Sequence, residues 1–254
     1  MNTQRVLVTA GASGIGREIA RSFAAAGAKV FVVDINEPGL AALAQECPGI
    51  QTGTCDMSSR ADIERMVPEA ITALGGLDVL VNNAGISGPT APVEAFDPDA
   101  WEKVMQINLN GTFNVTRLAI PFLKQSPAGS IIVMSSVAGR FGYPNRSAYS
   151  VSKWGLIGLT KTLSRELGDF GIRVNAILPG AVAGARIESV LEGRAKASGR
   201  TPDEERQDAM SIQSLQRFVD PRDIAAMALF LASDAGKSIS GQTLNIDNDL
   251  QKAS

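Results

Sequence analysis

TAGASGIG, residues Thr9 to Gly16, joins a short apolar run, RVLVT (Arg5–Thr9), to a segment in which Ile15, Ile19 and Phe23 recur at i, i+4 and i+8. The first run reads as a buried strand and the second as one face of an amphipathic helix over 14–26, with Gly27 as its stop. A glycine-rich turn from strand to helix brings backbone N–H groups close to a pyrophosphate, and the helix N-terminus adds favourable partial charge. The next apolar run, KVFVVD (Lys29–Asp34), ends in an acidic residue 18 positions after Gly16. That spacing suits a carboxylate that accepts hydrogen bonds from an adenosine ribose. A carboxylate there repels a 2′-phosphate. Neither Ile35 and Asn36 beside it nor Ser13 in the turn supplies a compensating positive charge, and Arg17 falls inside the helix. The pattern predicts a dinucleotide cofactor, NAD in preference to NADP.

The same alternation continues outward. Ile50–Asp56, Leu77–Asn83, Gly129–Ser136, Ile172–Pro179 and Gln242–Asp247 read as further strands, several of them apolar at nearly every position. Continuous apolar strands are covered on both faces. Helical stretches lie between them. One follows FDPDAW, with Asp97 as N-cap, Pro98 at N1 and a kink expected at Pro121. Another runs from about Ser147 to Gly168. This alternation predicts an α/β fold: a single-domain doubly wound parallel sheet of about seven strands, Rossmann-like, spanning 1–254. The polar, charged stretch from Ala185 to Pro221 interrupts the path to the last strand, and a helical lid is expected there.

Composition narrows the function. The 254 residues are 44% hydrophobic with a formal charge of −2, which points to neither nucleic acid nor an anionic membrane. Cys47 and Cys55 form no CxxC and have no histidine companion, so no metal site is expected. The N-terminus lacks a signal-peptide pattern and no run is long enough to span a membrane, so a cytoplasmic protein is expected. The chain has no histidine at all. Proton chemistry near neutral pH must use another side chain.

SAYSVSKWG (Ser147–Gly155) supplies a candidate. Tyr149 is one of two tyrosines in the chain, and Lys153 lies at i+4 on the same predicted helix face. A free tyrosine, with a pKa near 10, is a poor base; lowering it by about two units takes roughly 2.7 kcal/mol, within reach of one close cation plus a nicotinamide charge.

Taken together these motifs resemble the short-chain dehydrogenase/reductase family over essentially the whole chain. The glycine turn is similar to that family's TGxxxGxG, with Ala10 where the first glycine is usual. The resemblance implies cofactor contacts from Ser13, Gly14, Ile15 and Gly16, from Asp34 and Ile35, and from Asp56 and Met57 in CDMS. It implies further contacts from Asn83, Ala84 and Gly85 in NNAG, from Tyr149 and Lys153, and from Pro179, Gly180 and Val182 around the Pro-Gly turn. The implied catalytic set is Asn108 (in INLNGTF), Ser136, Tyr149 and Lys153. Ser136 would bond the substrate oxygen, and Asn108 would hold a water linking Lys153 to solvent. Gly184 stands where a threonine is frequent, and Asn248 and Asp249 where a glycine pair is common.

The resulting expectation is an NAD-dependent enzyme that interconverts a secondary alcohol (or a polyol or sugar hydroxyl) and its ketone. A homotetramer is implied by the resemblance and by helices apolar on more than one face, around Trp101–Leu123 and Ser147–Gly168. A 3-oxoacyl-type reductase and a catalytically silent NAD-sensing protein are the alternatives. A halohydrin-dehalogenase-like protein is disfavoured by Lys153 and the glycine turn. The substrate pocket is expected to involve Ile86, Ser87, the Val137–Arg146 loop and the lid. Arg140, Arg146 and Arg186 there read either as anion or polyol contacts or as plain surface charges.

Overall fold

The computed structural model describes residues 3–252. Seven strands form one parallel sheet in the order β3-β2-β1-β4-β5-β6-β7. They are β1 (Arg5–Thr9), β2 (Lys29–Asp34), β3 (Ile50–Thr54), β4 (Val79–Asn82), β5 (Ser130–Met134), β6 (Arg173–Pro179) and β7 (Thr243–Ile246). Among the described residues nine α-helices accompany them: α1 (Gly14–Ala25), α2 (Glu37–Glu46), α3 (Arg60–Leu74), α4 (Pro98–Met105), α5 (Thr112–Leu123), α6 (Ser147–Glu166), α7 (Ala185–Ser198), α8 (Pro202–Ser211) and α9 (Pro221–Ala232).

Side chains alternate across the sheet, as the two-residue period of a strand requires. Val6, Val8, Val30 and Val32 pack toward Ile19, Phe23, Leu43 and Ile224, so α1, α2 and α9 cover one face. Leu7, Phe31, Val33 and Leu80 pack toward Ile63, Met66, Val115 and Leu156, so α3, α5 and α6 cover the other. Burial on both faces explains why these strands show no polar alternation in sequence. At the N-terminal edge Asp78 joins three strands. It accepts from the Arg5 backbone N–H and guanidinium, at 2.8–2.9 Å, and from Ser126 Oγ at 2.6 Å. Burial alone would raise the Asp78 pKa, but the bonds from Arg5 and Ser126 outweigh it and hold the carboxyl below its usual range.

The segment after β4 differs from its expectation. Asp97 caps α4 through the Asp99 N–H, as predicted. α-Helical geometry is interrupted at Gln106–Gly111, which form a π-helical turn between α4 and α5, a feature not expected from the sequence. Pro121 lies within α5, two residues from its end at Leu123. The stretch expected to form a lid contains α7 and α8, which share a small apolar cluster of Ile187, Val190, Leu191 and Ala209. Among the described residues no helix is long and apolar enough to cross a membrane, and no acidic or cysteine cluster could hold a metal ion.

Candidate active site

The strand order reverses between β1 and β4, and the chain leaves these two neighbours toward opposite faces of the sheet. A cleft of about 700 Å³ opens at their C-terminal ends, in the size range and at the position where open α/β sheets hold ligands. Of the residues expected at the site, all line this cleft except Gly16 and Asn108, which lie buried just behind it.

The β1–α1 turn shapes one end. Thr9 Oγ1 accepts from the N–H groups of Asn83 and Ala84, and Asn83 Nδ2 donates back to the carbonyls of Thr9 and Ala10. This staple leaves no room at Gly16, where a Cβ would lie 2.4 Å from the Ala10 oxygen and 2.5 Å from Asn83 Nδ2. Ser13 precedes α1 in extended conformation and makes no side-chain cap bond, whereas Asn36 and Ser59 cap α2 and α3. The first N–H groups of α1 therefore face the cleft unclaimed, a setting that suits a phosphate. Asp34 accepts from the N–H groups of Ala12 and Asn36, each at 3.0 Å, which fixes its carboxylate at the end of β2. Arg17 turns away to Glu46 and the Ala12 carbonyl. Asp56 accepts from Ser58, and Ile35 is 65% exposed beside the cleft. These residues fit a nicotinamide dinucleotide.

Three departures from the family pattern have a backbone explanation. Ala10, Asn248 and Asp249 all have positive φ, at 53°, 57° and 56°. Glycine is easiest in that region and asparagine and aspartate tolerate it, so the expected glycine pair at 248–249 is replaced by the next best residues. Gly184 has φ 132°, a conformation closed to the threonine frequent there.

The other end of the cleft holds Ser136, Tyr149 and Lys153. Lys153 projects from α6 and its Nζ donates to the Met134 carbonyl of β5 at 2.8 Å, 5.6 Å from the Tyr149 ring centre. Burial, with a further push from Arg186, lowers the Lys153 pKa to about 7. Ser136 Oγ accepts from the Ala138 N–H. Asn108 lies in the π-helical turn. It clamps the backbone of Ile86 in both directions, at 2.8 and 3.0 Å, and also donates to Ser152 Oγ. A π-turn at such a place is a frequent feature of functional sites.

Sequence reasoning missed several participants. Ser152 and the Met134 carbonyl act through contacts between distant elements. Arg194 of α7 donates to the Tyr143 hydroxyl at the rim of the cleft. Of the three arginines left open, Arg146 and Arg186 line the cleft while Arg140 does not: it is exposed, over Phe141 and 3.8 Å from Asp247.

A family model described as enoyl-(acyl carrier protein) reductase matches residues 9–249. The chain is 37% identical over 248 residues to a 3-oxoacyl-[acyl-carrier-protein] reductase of Thermotoga maritima, covering 96% of each chain. It superposes on NAD+-bound xylitol dehydrogenase with a TM-score of 0.92 at 30% identity, covering 96% of this chain and 98% of the other. It superposes equally well, TM-score 0.92 at 32% identity, on actinorhodin polyketide ketoreductase with NADPH, covering 97% and 96%.

The burial of Lys153 generates a prediction. Its pKa is near 7 when folded and about 10.4 when unfolded, so between those values the unfolded chain binds the extra proton. The penalty is fully present below pH 7 and fades as pH rises. Comparing Lys153→Met with wild type by urea denaturation, the stability difference should move in the wild type's favour from about pH 7 to 10, by up to about 1.4 kcal/mol per pH unit. A pH-independent difference would contradict the depressed pKa.

Proposed function

The chain belongs to the short-chain dehydrogenase/reductase family and is an oxidoreductase acting on alcohols and ketones, and from that premise we propose that it uses NAD to interconvert a secondary alcohol, polyol or sugar hydroxyl with its ketone. The observation that carries this reading is the convergence of Tyr149, Ser136 and Lys153 at one end of a cleft whose other end suits a dinucleotide. The bound nicotinamide would supply the hydride acceptor, or the donor in reduction. Ser136 Oγ donates to the substrate oxygen and orients it toward Tyr149. Tyr149 takes the hydroxyl proton in oxidation and returns it in reduction. Lys153, with its Nζ 5.6 Å from the phenol ring, sets a proton-exchanging amine beside Tyr149. Asn108 fixes the Ile86 backbone beside Lys153 and holds a water that passes protons onward. The chain acts as one dinucleotide-binding and catalytic domain, since a single sheet carries both ends of the cleft.

Resemblance to the Thermotoga maritima protein supports the second reading, a 3-oxoacyl-type reductase. Assaying NAD+ reduction with an alcohol panel, and NADH oxidation with ketones and 3-oxoacyl thioesters, separates the two. No turnover with any of them would leave the silent NAD-sensing alternative.

We take the enzyme to be cytoplasmic, in keeping with its two free cysteines, and a homotetramer. Phe113 on α5 and Val151 and Trp154 on α6 are about half exposed, an apolar surface on the two helices expected to associate. Light scattering at micromolar concentration should give four times the chain mass; a monomer would overturn this.

Tyr149→Phe should lower kcat by about three to four orders of magnitude and leave NADH affinity nearly intact. Fluorescence titration and steady-state kinetics read the two separately, and activity above a few per cent of wild type would sink the mechanism.

Asp34 should set the cofactor preference, with NAD favoured over NADP by about tenfold to a hundredfold in kcat/KM. Its carboxylate repels a 2′-phosphate, and Arg17, the nearest candidate to offset it, is bound to Glu46. Asp34→Ala, or Asp34→Ala combined with Ile35→Arg, should narrow or invert the ratio. A wild type that prefers NADP would show that Asp34 does not face the ribose.

A further inference from the structure

We propose that the substrate carries a carboxylate and that Arg146 and Arg186 recognise it, so that the alcohol is a short-chain hydroxy acid and the ketone the matching keto acid. The inference rests on the oxidoreductase reading above and narrows its substrate class. Both arginines line the cleft. The acidic residues lining it are Asp34, which ends β2, and Asp56, which follows β3, and these strands lie across β1 and β4 from the β5 end where Tyr149 stands. Among the described residues neither Arg146 nor Arg186 is paired with an acidic side chain.

Arg146 is the more unusual of the two. It is only 4% exposed, and its guanidinium lies 5.5 Å from the Tyr149 ring centre and 5.7 Å from that of Tyr143. Its partners are neutral, Thr90 Oγ1 and the Ser87 carbonyl, both at 3.2 Å, and its buried Nε has none. Arg186, at the start of α7, donates to the Gly85 carbonyl at 2.6 Å and presses electrostatically on both Arg146 and Lys153. With Arg194 on the Tyr143 hydroxyl, four cationic side chains gather at this end of the cleft, and among the described residues no acidic side chain is paired with Arg146, Arg186 or Lys153. Gathering like charges is costly when some of them, here Arg146 and Lys153, are buried, and an anion entering with the substrate offsets the cost. A guanidinium fork matches a carboxylate in shape and charge. The remaining wall there, Ile187, Val190 and Ile212, is apolar and suits a short carbon chain. Because Arg146 lies so near the Tyr149 ring, the carboxylate stands only a few bonds from the carbinol.

The cofactor's own anion has its place at the other end, at the uncapped N-terminus of α1, so the arginines are not needed there. The test compares lactate, 3-hydroxybutyrate and 4-hydroxyvalerate, each beside its methyl ester, with wild type, Arg186→Gln and Arg146→Lys. The best acid should exceed its ester by at least about tenfold in kcat/KM, the scale of a charge-assisted hydrogen bond. Arg186→Gln, a change at an exposed position, should erase most of that ratio, chiefly through KM; Arg146→Lys, which keeps the charge, should reduce it less. Esters used as well as acids would overturn the proposal.

A second arm does not depend on turnover. Calorimetric titration of the enzyme–NADH complex with pyruvate, acetoacetate and levulinate should show binding of at least one, weakened by added salt and by Arg186→Gln. Absence of keto-acid binding overturns the proposal whatever neutral ketones do. So does an Arg186→Gln loss of NADH affinity as large as its loss of keto-acid affinity, which would assign Arg186 to the cofactor. Keto-acid binding without turnover of any alcohol would instead uphold this inference and refute the oxidoreductase mechanism.

Discussion

The parting of the chain beyond β1 and β4 is the constraint on which the site depends. The two strands are hydrogen-bonded neighbours, yet α1 leaves toward one face and the segment after Asn82 toward the other. A gap between them is unavoidable, and the bonds between Thr9, Ala10 and Asn83 fix its width. That fixed width excludes a side chain at Gly16 and leaves the first turn of α1 facing the cleft. Ala10 meets the same demand by taking a left-handed conformation that costs an alanine on the order of 1–2 kcal/mol. The backbone geometry is therefore held even where the residue best suited to it is absent.

Much of this was legible in the sequence because strands buried on both faces leave continuous apolar runs. β1 and β2 fall at their predicted limits, and the other strands differ from theirs by only a residue or two at either end. The spacing of Asp34, Tyr149 and Lys153, and the resemblance that added Ser136, pointed to residues that meet in one cleft, since each lies in or shortly after an element whose direction the sheet fixes. The π-helical turn at Gln106–Gly111 was not legible. Two asparagines and a glycine mark weak helix propensity but not a π turn, and the turn is stabilised by contacts that Asn108 makes with Ile86 and Ser152, far away in sequence. Pro121 carried a stronger local signal and was given the distortion instead.

The arginines show a different limit. Arg140 and Arg146 lie six residues apart in one loop, and sequence treats them alike. Arg140 falls on the outside, over Phe141, while Arg146 immediately precedes α6 and turns inward between two tyrosine rings. Side-chain direction in an irregular segment follows from tertiary packing and not from spacing, so only the structure separates them. Arg194 was invisible for a related reason: α7 is charged throughout, and nothing in LEGRAKAS marks which cation faces Tyr143.

The two cations beside Tyr149 divide their work by chemistry. Lys153, buried against the Met134 carbonyl, loses its proton near neutral pH. Arg146 lies as close to the ring; burial and the neighbouring Arg194 and Arg186 lower its pKa, but a guanidinium starts so high that it keeps its proton near neutral pH. If Tyr149 cycles between phenol and phenolate, a lysine that both stabilises the anion and relays the proton would withdraw its charge at the moment it handed the proton on. On the proposed mechanism, Arg146 would keep a positive charge beside the Tyr149 ring while Lys153 released and regained its proton. A site with no histidine thereby obtains a group that titrates near neutrality. It does so by burying a lysine beside other cations.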